Sequence, residues 1–595
     1  VENMKGTGYS GYMRWKEEWS HIIGPSGSIS EAQLRVLDFA QRFINIKTTM
    51  PKVDANWTEL GPMYLPENIG VHPMHAGIGR IHAVAFDPNN ASHVFAMSPT
   101  GGLYYSFDGG ENWNNGGTDT MKIVGVSSLV VDPQNSSRWY IGTGDCDGAS
   151  ARWCFSTTDG VWRTTNNGLQ WKQILSNPII NTPTRIRKLL MHPSDNNILF
   201  AVTDTAIYRT SNATATSPSW ISVVQGHFND LHFKPGYPSV MVASGYWGDQ
   251  LYVSTDTGTT FTKITNTPFN SSSDIMIEFS AANPNLLYIA ESVNSKIRIR
   301  LLDISQYPTI QWTLKGWVKY CLGEPLNDTT YLWGLAKGFA VSPANINLLY
   351  LGDNSGNVIA MSTDQGLTWT QMDGNYHVDI HHLSYSPNNE LWVGTDGGIS
   401  KLTNTGWINK TKNIGVANLF HISGAVTDSN YVLMGAYDVG SNMLNKTKTP
   451  EQRWKNFSLN DGTSCAIDPK TSSRFYVTGQ NGTFFLRYEN YGQTPPIELT
   501  IPGTTDWFTW FKLSPVIDNT VFFVTLSNIY RSGNKGETWQ PIAGNINFPQ
   551  KYFYKLYTAP NDSSTLYLND LIDGNQSRWF KTTNANNSDP NTVTW

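Results

Sequence analysis

The sequence predicts an all-β chain of repeated four-stranded units in a β-propeller arrangement, and three observations carry that prediction. The first is an eight-residue pattern, S-x-D-x-G-x-x-W, complete at Ser106-Phe107-Asp108-Gly109-Gly110-Glu111-Asn112-Trp113 and repeated with small changes at 164–171, 254–261, 362–369 and 532–539. The second is a recurring phrase of turn followed by buried strand: Asp87-Pro88 before VFAMS, Asp132-Pro133 before WYIGTG, His192-Pro193 before ILFAVTD, Ser386-Pro387 before LWVGTD. The third is composition. The 595 residues include 51 Gly, 22 Trp, 27 Tyr and 25 Phe with only 15% charged, which suits a turn-rich β protein. A chain this long exceeds one ordinary core unless a repeat extends it.

Within the pattern, Asp108, Asp256 and Asp364 can accept hydrogen bonds from nearby backbone N–H groups, the Gly supplies positive φ, and Trp113, Trp369 and Trp539 bury a large apolar face under the turn. These residues are expected to be structural. Copies starting at 164 and 254 lie 90 residues apart with a worn copy between them. Further worn copies end at Trp220, Trp312, Trp407, Trp454 and Trp595. The period is therefore about 45 and the number of units about eleven, a propeller-like spacing.

Residues 1–56 lack the repeat and form an expected helical or extended segment. Ser30-Glu31-Ala32-Gln33 has the form of a capping box, and Leu34, Leu37, Phe39, Ala40, Phe43 and Ile44 follow at amphipathic spacing, predicting a helix of about four turns. Residues 56–62 read as an outermost strand with no box before it, as at a ring closure. Two consecutive propellers are expected, 57–345 and 346–595, with the boundary inside 315–420, because the long interval between the boxes at 254 and 362 holds an irregular stretch. One ten-bladed ring is the alternative.

On its box copies the chain resembles the Asp-box (BNR) β-propeller proteins, which include sialidases, sortilin-type receptors, xyloglucan-active glycoside hydrolases and large secreted Bacteroidetes proteins. The resemblance implies boxes at the blade periphery, away from any active face. It also implies tandem rings as in the xyloglucan-active enzymes, or a single large ring as in sortilin. Those enzymes carry a catalytic Asp in a D-x-G-G turn of the first blade, whereas the matching turn here, Ser98-Pro99-Thr100-Gly101-Gly102, has no carboxylate. Thr395-Asp396-Gly397-Gly398 keeps the D-G-G form in a later unit. Neither the sialidase arginine triad nor its Tyr/Glu nucleophile pair is recognisable.

Candidate chemistry lies just after the buried strands, where loops gather near a propeller axis. Asp396 and Asp438 are the candidate catalytic carboxylates, since glycoside hydrolysis needs an acid and a base or nucleophile. Tyr246, Trp247, Asp249, Asp353 and Tyr437 are candidate ligand-binding residues, aromatic rings to stack on sugars and acids to bind hydroxyls. For any one of these acids taken singly, a short polar turn residue is the plainer reading. If 377–382 is an innermost strand, His377, Asp379 and His381 share one face, where a divalent metal or an acid–base relay would fit; a hydrogen-bonded channel strand is the plainer reading. No cofactor is required. The run 507–511 suits either a sugar platform or a strand buried on both faces.

A net charge of −5 without a basic run excludes nucleic acid as an expected partner. No apolar run reaches the roughly 20 residues of a membrane span. The chain opens at Val1 and is read as a processed, soluble protein, secreted or at the cell surface. In that setting Cys146 and Cys154, in one short loop, are expected to form a disulfide, with Cys321 and Cys465 unpaired. Two functions remain open: a scaffold binding polysaccharide or a surface protein, or a glycoside hydrolase acting on plant- or algal-type polysaccharide.

Overall fold

The computed structural model describes most of 58–595, the principal exceptions being 69–76, 146–157, 177–184, 246–250, 319–337, 353–358 and 547–553; of the first 57 residues it describes 38–39 and 41–42. The chain packs as two compact units. Among the described residues, one comprises Arg80–Val416, and the other Ala417–Trp595 with the segment from Leu60 to Gly79.

In the first unit seven antiparallel sheets follow in chain order, spanning 83–115, 126–175, 186–225, 228–263, 274–317, 339–372 and 380–409. Each is a meander of four strands. Its innermost strand packs beside that of the next sheet, and the first packs beside the seventh, so the unit is a closed seven-bladed propeller. Closure matters because it leaves no innermost sheet face unpartnered. The second strand of each blade lies between neighbouring sheets and is covered on both faces, so it reads as a continuous apolar run; Leu199–Thr203 and Leu391–Thr395 are buried throughout.

The repeated pattern closes the turn between the third and fourth strands. In the first copy Asp108 Oδ1 accepts from Ser106 Oγ at 2.7 Å, Asn112 N at 2.9 Å and Glu111 N at 3.1 Å, while Ser106 Oγ accepts from Gly110 N at 2.9 Å. Asp256 and Asp364 repeat this geometry. The tryptophan reaches further than its own turn. Trp171 Nε1 donates to Gly116 O, Trp220 Nε1 to Ile174 O and Trp539 Nε1 to Thr500 O, each toward the preceding blade. Trp113 does the same across the ring seam, donating to Lys410 O at 2.7 Å. Trp369 instead donates to Gly366 O within its own turn. The seam is further tied by Ile81 N to Thr395 O (2.9 Å), Tyr104 Oη to Gly415 O (2.9 Å) and an ion pair of Lys410 with Glu111.

Among the described residues the second unit holds four sheets, at 419–456, 462–498, 510–541 and 554–582, the last with three strands. A short strand, Glu67–Asn68, joins the 419–456 sheet parallel to Trp454–Asn456 as a fifth strand. The early segment thus supplies an edge strand, but later in sequence than 56–62, and Leu60 contributes its carbonyl to Trp454 Nε1 instead.

The eleven sheets agree with the repeat count. The units part between Val416 and Ala417, inside the expected 315–420 interval but at its far end rather than at 345/346, because the sheets at 339–372 and 380–409 are needed to close the first ring. A single ten-bladed ring is excluded by the contact of the first blade with the seventh. Of the predicted N-terminal helix, Asp38, Phe39, Gln41 and Arg42 are helical, with Arg42 paired to Asp38 at 2.7 Å, and the remainder lies outside the described residues. Cys146, Cys154 and Cys321 also lie outside them. Cys465 is a buried free thiol.

Candidate functional site

Four of the ring's innermost strands share an irregularity near their start. In Val126–Asp132, Ile186–Met191, Phe228–Lys234 and Ile380–Tyr385 the ladder passes over one residue, respectively Ser127, Arg187, Asn229 and His381. Such a bulge breaks strict alternation and re-aims the skipped side chain. All four of these polar residues are buried.

The bulge at His381 creates the first polar cluster. His381 Nε2 lies 2.7 Å from Asp396 Oδ1, and Arg80 Nε lies 3.6 Å from the same oxygen. Arg80 Nη2 also lies 3.5 Å from Asp145 Oδ1, to which His82 Nδ1 comes within 3.4 Å. Two carboxylates from the second and seventh blades thus share one guanidinium, and each has its own imidazole. Asp396 sits in the two-residue turn between Thr395 and Gly398, paired residues of adjacent strands, with 4% of its surface exposed. Paired charges of this kind are costly to separate once buried, so the cluster fixes the carboxylates in place.

The second cluster lies in the propeller channel, a cavity of about 680 Å³ lined by the innermost strands of all seven blades. Lys188 Nζ donates to Asp230 Oδ1 at 2.5 Å, and His232 Nε2 lies 2.9 Å from Asp230 Oδ2 and 2.9 Å from Lys188 Nζ. On the other edge of the ring, His232 Nδ1 lies 3.4 Å from Glu278 Oε1. Burial opposes ionisation of Asp230, but the charges and hydrogen bonds of His232 and Lys188 outweigh it and hold its carboxyl far below the usual range. Burial pushes the Glu278 carboxyl up, offset only in part by His232 and Lys188. One carboxylate is therefore firmly ionised while the other holds its proton to higher pH. The imidazole standing between them leaves no room for a glycosidic bond to be attacked from both sides.

The predicted metal triad does not form as expected. The strand begins at Ile380, so His377 and Asp379 precede it, Asp379 in a bend at φ 58°. The His377 ring packs on Gly397, where an added Cβ would come within 2.3 Å of its Cγ, and His381 is turned by the bulge toward Asp396. Sequence alternation failed here because the extra residue shifts the register. Asp438 occupies the corresponding turn of its own blade, between Ala436 and Gly440, at φ 53° with its N–H donating to Asp461 Oδ1 at 2.9 Å. Tyr437 is half-buried with its ring 5.9 Å from Phe420, which meets Phe508 edge-on at 5.0 Å. Trp507, Phe508 and Thr509 are buried, which favours packing over a sugar platform for that run. Tyr246, Trp247, Asp249 and Asp353 lie outside the described residues.

Two further acids, Glu291 in the strand Asn283–Val293 and Asp204 in the turn after Leu199–Thr203, are held by arginines. Fully buried Glu291 accepts from Arg298 Nε and Nη2 at 2.5 and 2.8 Å and from Arg300 Nε at 2.9 Å. Asp204 accepts from Arg185 N and Nη1. Sequence reasoning missed Arg80, His82, Lys188, Asp230, His232 and Glu278. The available signal was the polar run Asn229-Asp230-Leu231-His232 inside an innermost strand, where apolar residues are the norm.

No family model matches the chain. A curated xyloglucanase of Hypocrea jecorina (strain QM6a) is 25% identical over 264 residues, covering 40% of this chain and 29% of that enzyme, so the match spans less than a third of the relative's length. Among solved structures, an ancestral GH74 enzyme aligns with a TM-score of 0.60 at 14% identity, covering 89% of this chain and 78% of its own. PorZ, a bacterial surface component of the type-IX secretion system of Porphyromonas gingivalis, aligns with a TM-score of 0.50 at 12% identity, over 86% of this chain and 65% of its own. At these identities the solved structures speak for the fold, an all-β propeller architecture. Among the described residues no helix is long and apolar enough to cross a membrane.

Proposed function

We propose that this chain works outside the cell on a neutral polysaccharide, as a glycoside hydrolase of propeller architecture. The observation that carries the reading is Asp396, a carboxylate at the end of a buried strand, oriented by His381 and Arg80 in a D-G-G turn. A carboxylate so positioned suits acid–base work or a strong hydrogen bond to a sugar hydroxyl. The xyloglucanase match supports the substrate class, and the low content of charged residues suits a neutral polymer held by hydroxyl contacts and ring stacking. Asp438 holds the equivalent turn position in its own blade and is proposed as a second functional carboxylate. Tyr437 beside it is proposed to contact sugar.

The test is a polysaccharide panel that includes xyloglucan, scored for reducing-end release and for retardation on native affinity gels. Asp396→Asn and Asp438→Asn are each expected to lower release by about 100-fold or more with little change in melting temperature. Retardation by the parent without any release would instead favour the scaffold reading. That reading is supported by the first-blade turn at 98–102, which lacks a carboxylate.

A further inference from the structure

We propose that the channel of the seven-bladed unit is a binding site for a neutral mono- or disaccharide, held by Asn229, Asp230 and Glu278. The starting observation is Asn229. It lines the channel, only 6% of its surface is exposed, and neither Oδ1 nor Nδ2 has a hydrogen-bond partner among the described residues. A buried primary amide with both ends unsatisfied is destabilising, and a site that retains one has a use for it. The bulge over Asn229 is what allows it and its neighbour Asp230 to line the channel together, where strict alternation would send one away.

The chemistry of the lining selects the ligand. Two carboxyl groups argue against an anion. Lys188 Nζ stands 2.5 Å from Asp230 and 2.9 Å from His232, in the place a metal ion would need, which argues against a divalent cation. What remains is a ligand that both donates and accepts without net charge. An amide offers one donor end and one acceptor end, Asp230 Oδ2 keeps one acceptor position for a hydroxyl beside its contact with His232, and the Glu278 carboxyl adds a further partner of either kind. Met276, Phe279 and Leu190 supply apolar wall for the C–H face of a sugar ring. A volume of about 680 Å³ falls in the middle of the usual range for small-ligand cavities and accommodates one or two pyranose rings but no polymer. The site does not depend on Asp396 being catalytic.

The experiment is titration of the full chain with xylose, glucose and cellobiose, followed by calorimetry or ligand-observed NMR, with melting curves as the folding control. At least one sugar is expected to bind the parent, and Asn229→Ala is expected to weaken it by about tenfold or more while leaving the melting temperature equal or higher. Glu278→Gln, which keeps shape and hydrogen bonding, is the second variant and is expected to weaken binding severalfold less than Asn229→Ala. Polysaccharide hydrolysis should be unchanged in Asn229→Ala. Absence of binding by all three sugars, or a channel holding only water when the protein is crystallised with them, overturns the proposal. Binding that survives Asn229→Ala but is lost in Asp396→Asn also overturns it, while leaving the polysaccharide reading intact.

Discussion

Asp108 and Asp396 are both aspartates in tight turns next to glycine, and their surroundings give them different work. Asp108 is exposed and spends its oxygens on its own turn; slight burial opposes ionisation, but hydrogen bonds from Asn112, Ser106 and Glu111 hold its carboxyl at about 2. Asp108→Ala and Asp364→Ala are expected to cost about 1 kcal/mol each through the lost turn, moderated by solvent screening, with sugar recognition unaffected. Denaturant melts beside the gel assay check both halves of that statement. His421 shows how burial tunes a base: desolvation, then the charge of Lys512, lowers it from 6.5 to about 4. The unfolded chain therefore takes up a proton between pH 6.5 and 4 that the folded chain refuses, so stability is full above 6.5 and falls as pH drops through that window, by up to about 3 kcal/mol. His421→Gln should flatten the melting temperature between pH 4 and 6.5. Glu278 has the opposite sign. Its raised carboxyl favours folding below the ordinary Glu range and loses that contribution as pH rises. Glu278→Gln should therefore melt higher than the parent at pH 7 and show a smaller decline between pH 5 and 8.

At the scale of the element, the repeated turn is a coupling between blades as much as a hairpin end. Trp113 Nε1 reaches Lys410 O across the seam, and the turn glycine leaves space that the preceding blade fills. At Gly258, φ is +68° and a Cβ would meet Phe200 Cε1 of the previous blade at 2.4 Å. Gly258→Ala therefore combines backbone strain with a clash against a buried ring, and a loss of about 2 kcal/mol or more is expected in a denaturant melt. Bulges do the complementary job on the inside of the ring. They place Asn229 at the channel wall and His381 against Asp396, and they are invisible to a reading based on strand alternation.

At the scale of the whole molecule, two units with separate cores predict two calorimetric transitions. Trp113→Phe, which removes a seam hydrogen bond, should lower only the transition of the seven-bladed unit. Trp539→Phe should lower only the other. A single transition displaced by both variants would show that the units unfold together. What the amino-acid order determined alone was the all-β class, the count of about eleven units and the structural role of Asp108, Asp256 and Asp364, because these rest on turns closed within eight residues. The partition at 416/417 was decided by tertiary structure, since ring closure depends on how many blades complete a circle and no local signal records that number. The same holds for the channel group. Lys188, Asp230 and Glu278 come from three successive blades, and only the wrapping of innermost strands around one axis brings side chains more than forty residues apart within reach of a single imidazole.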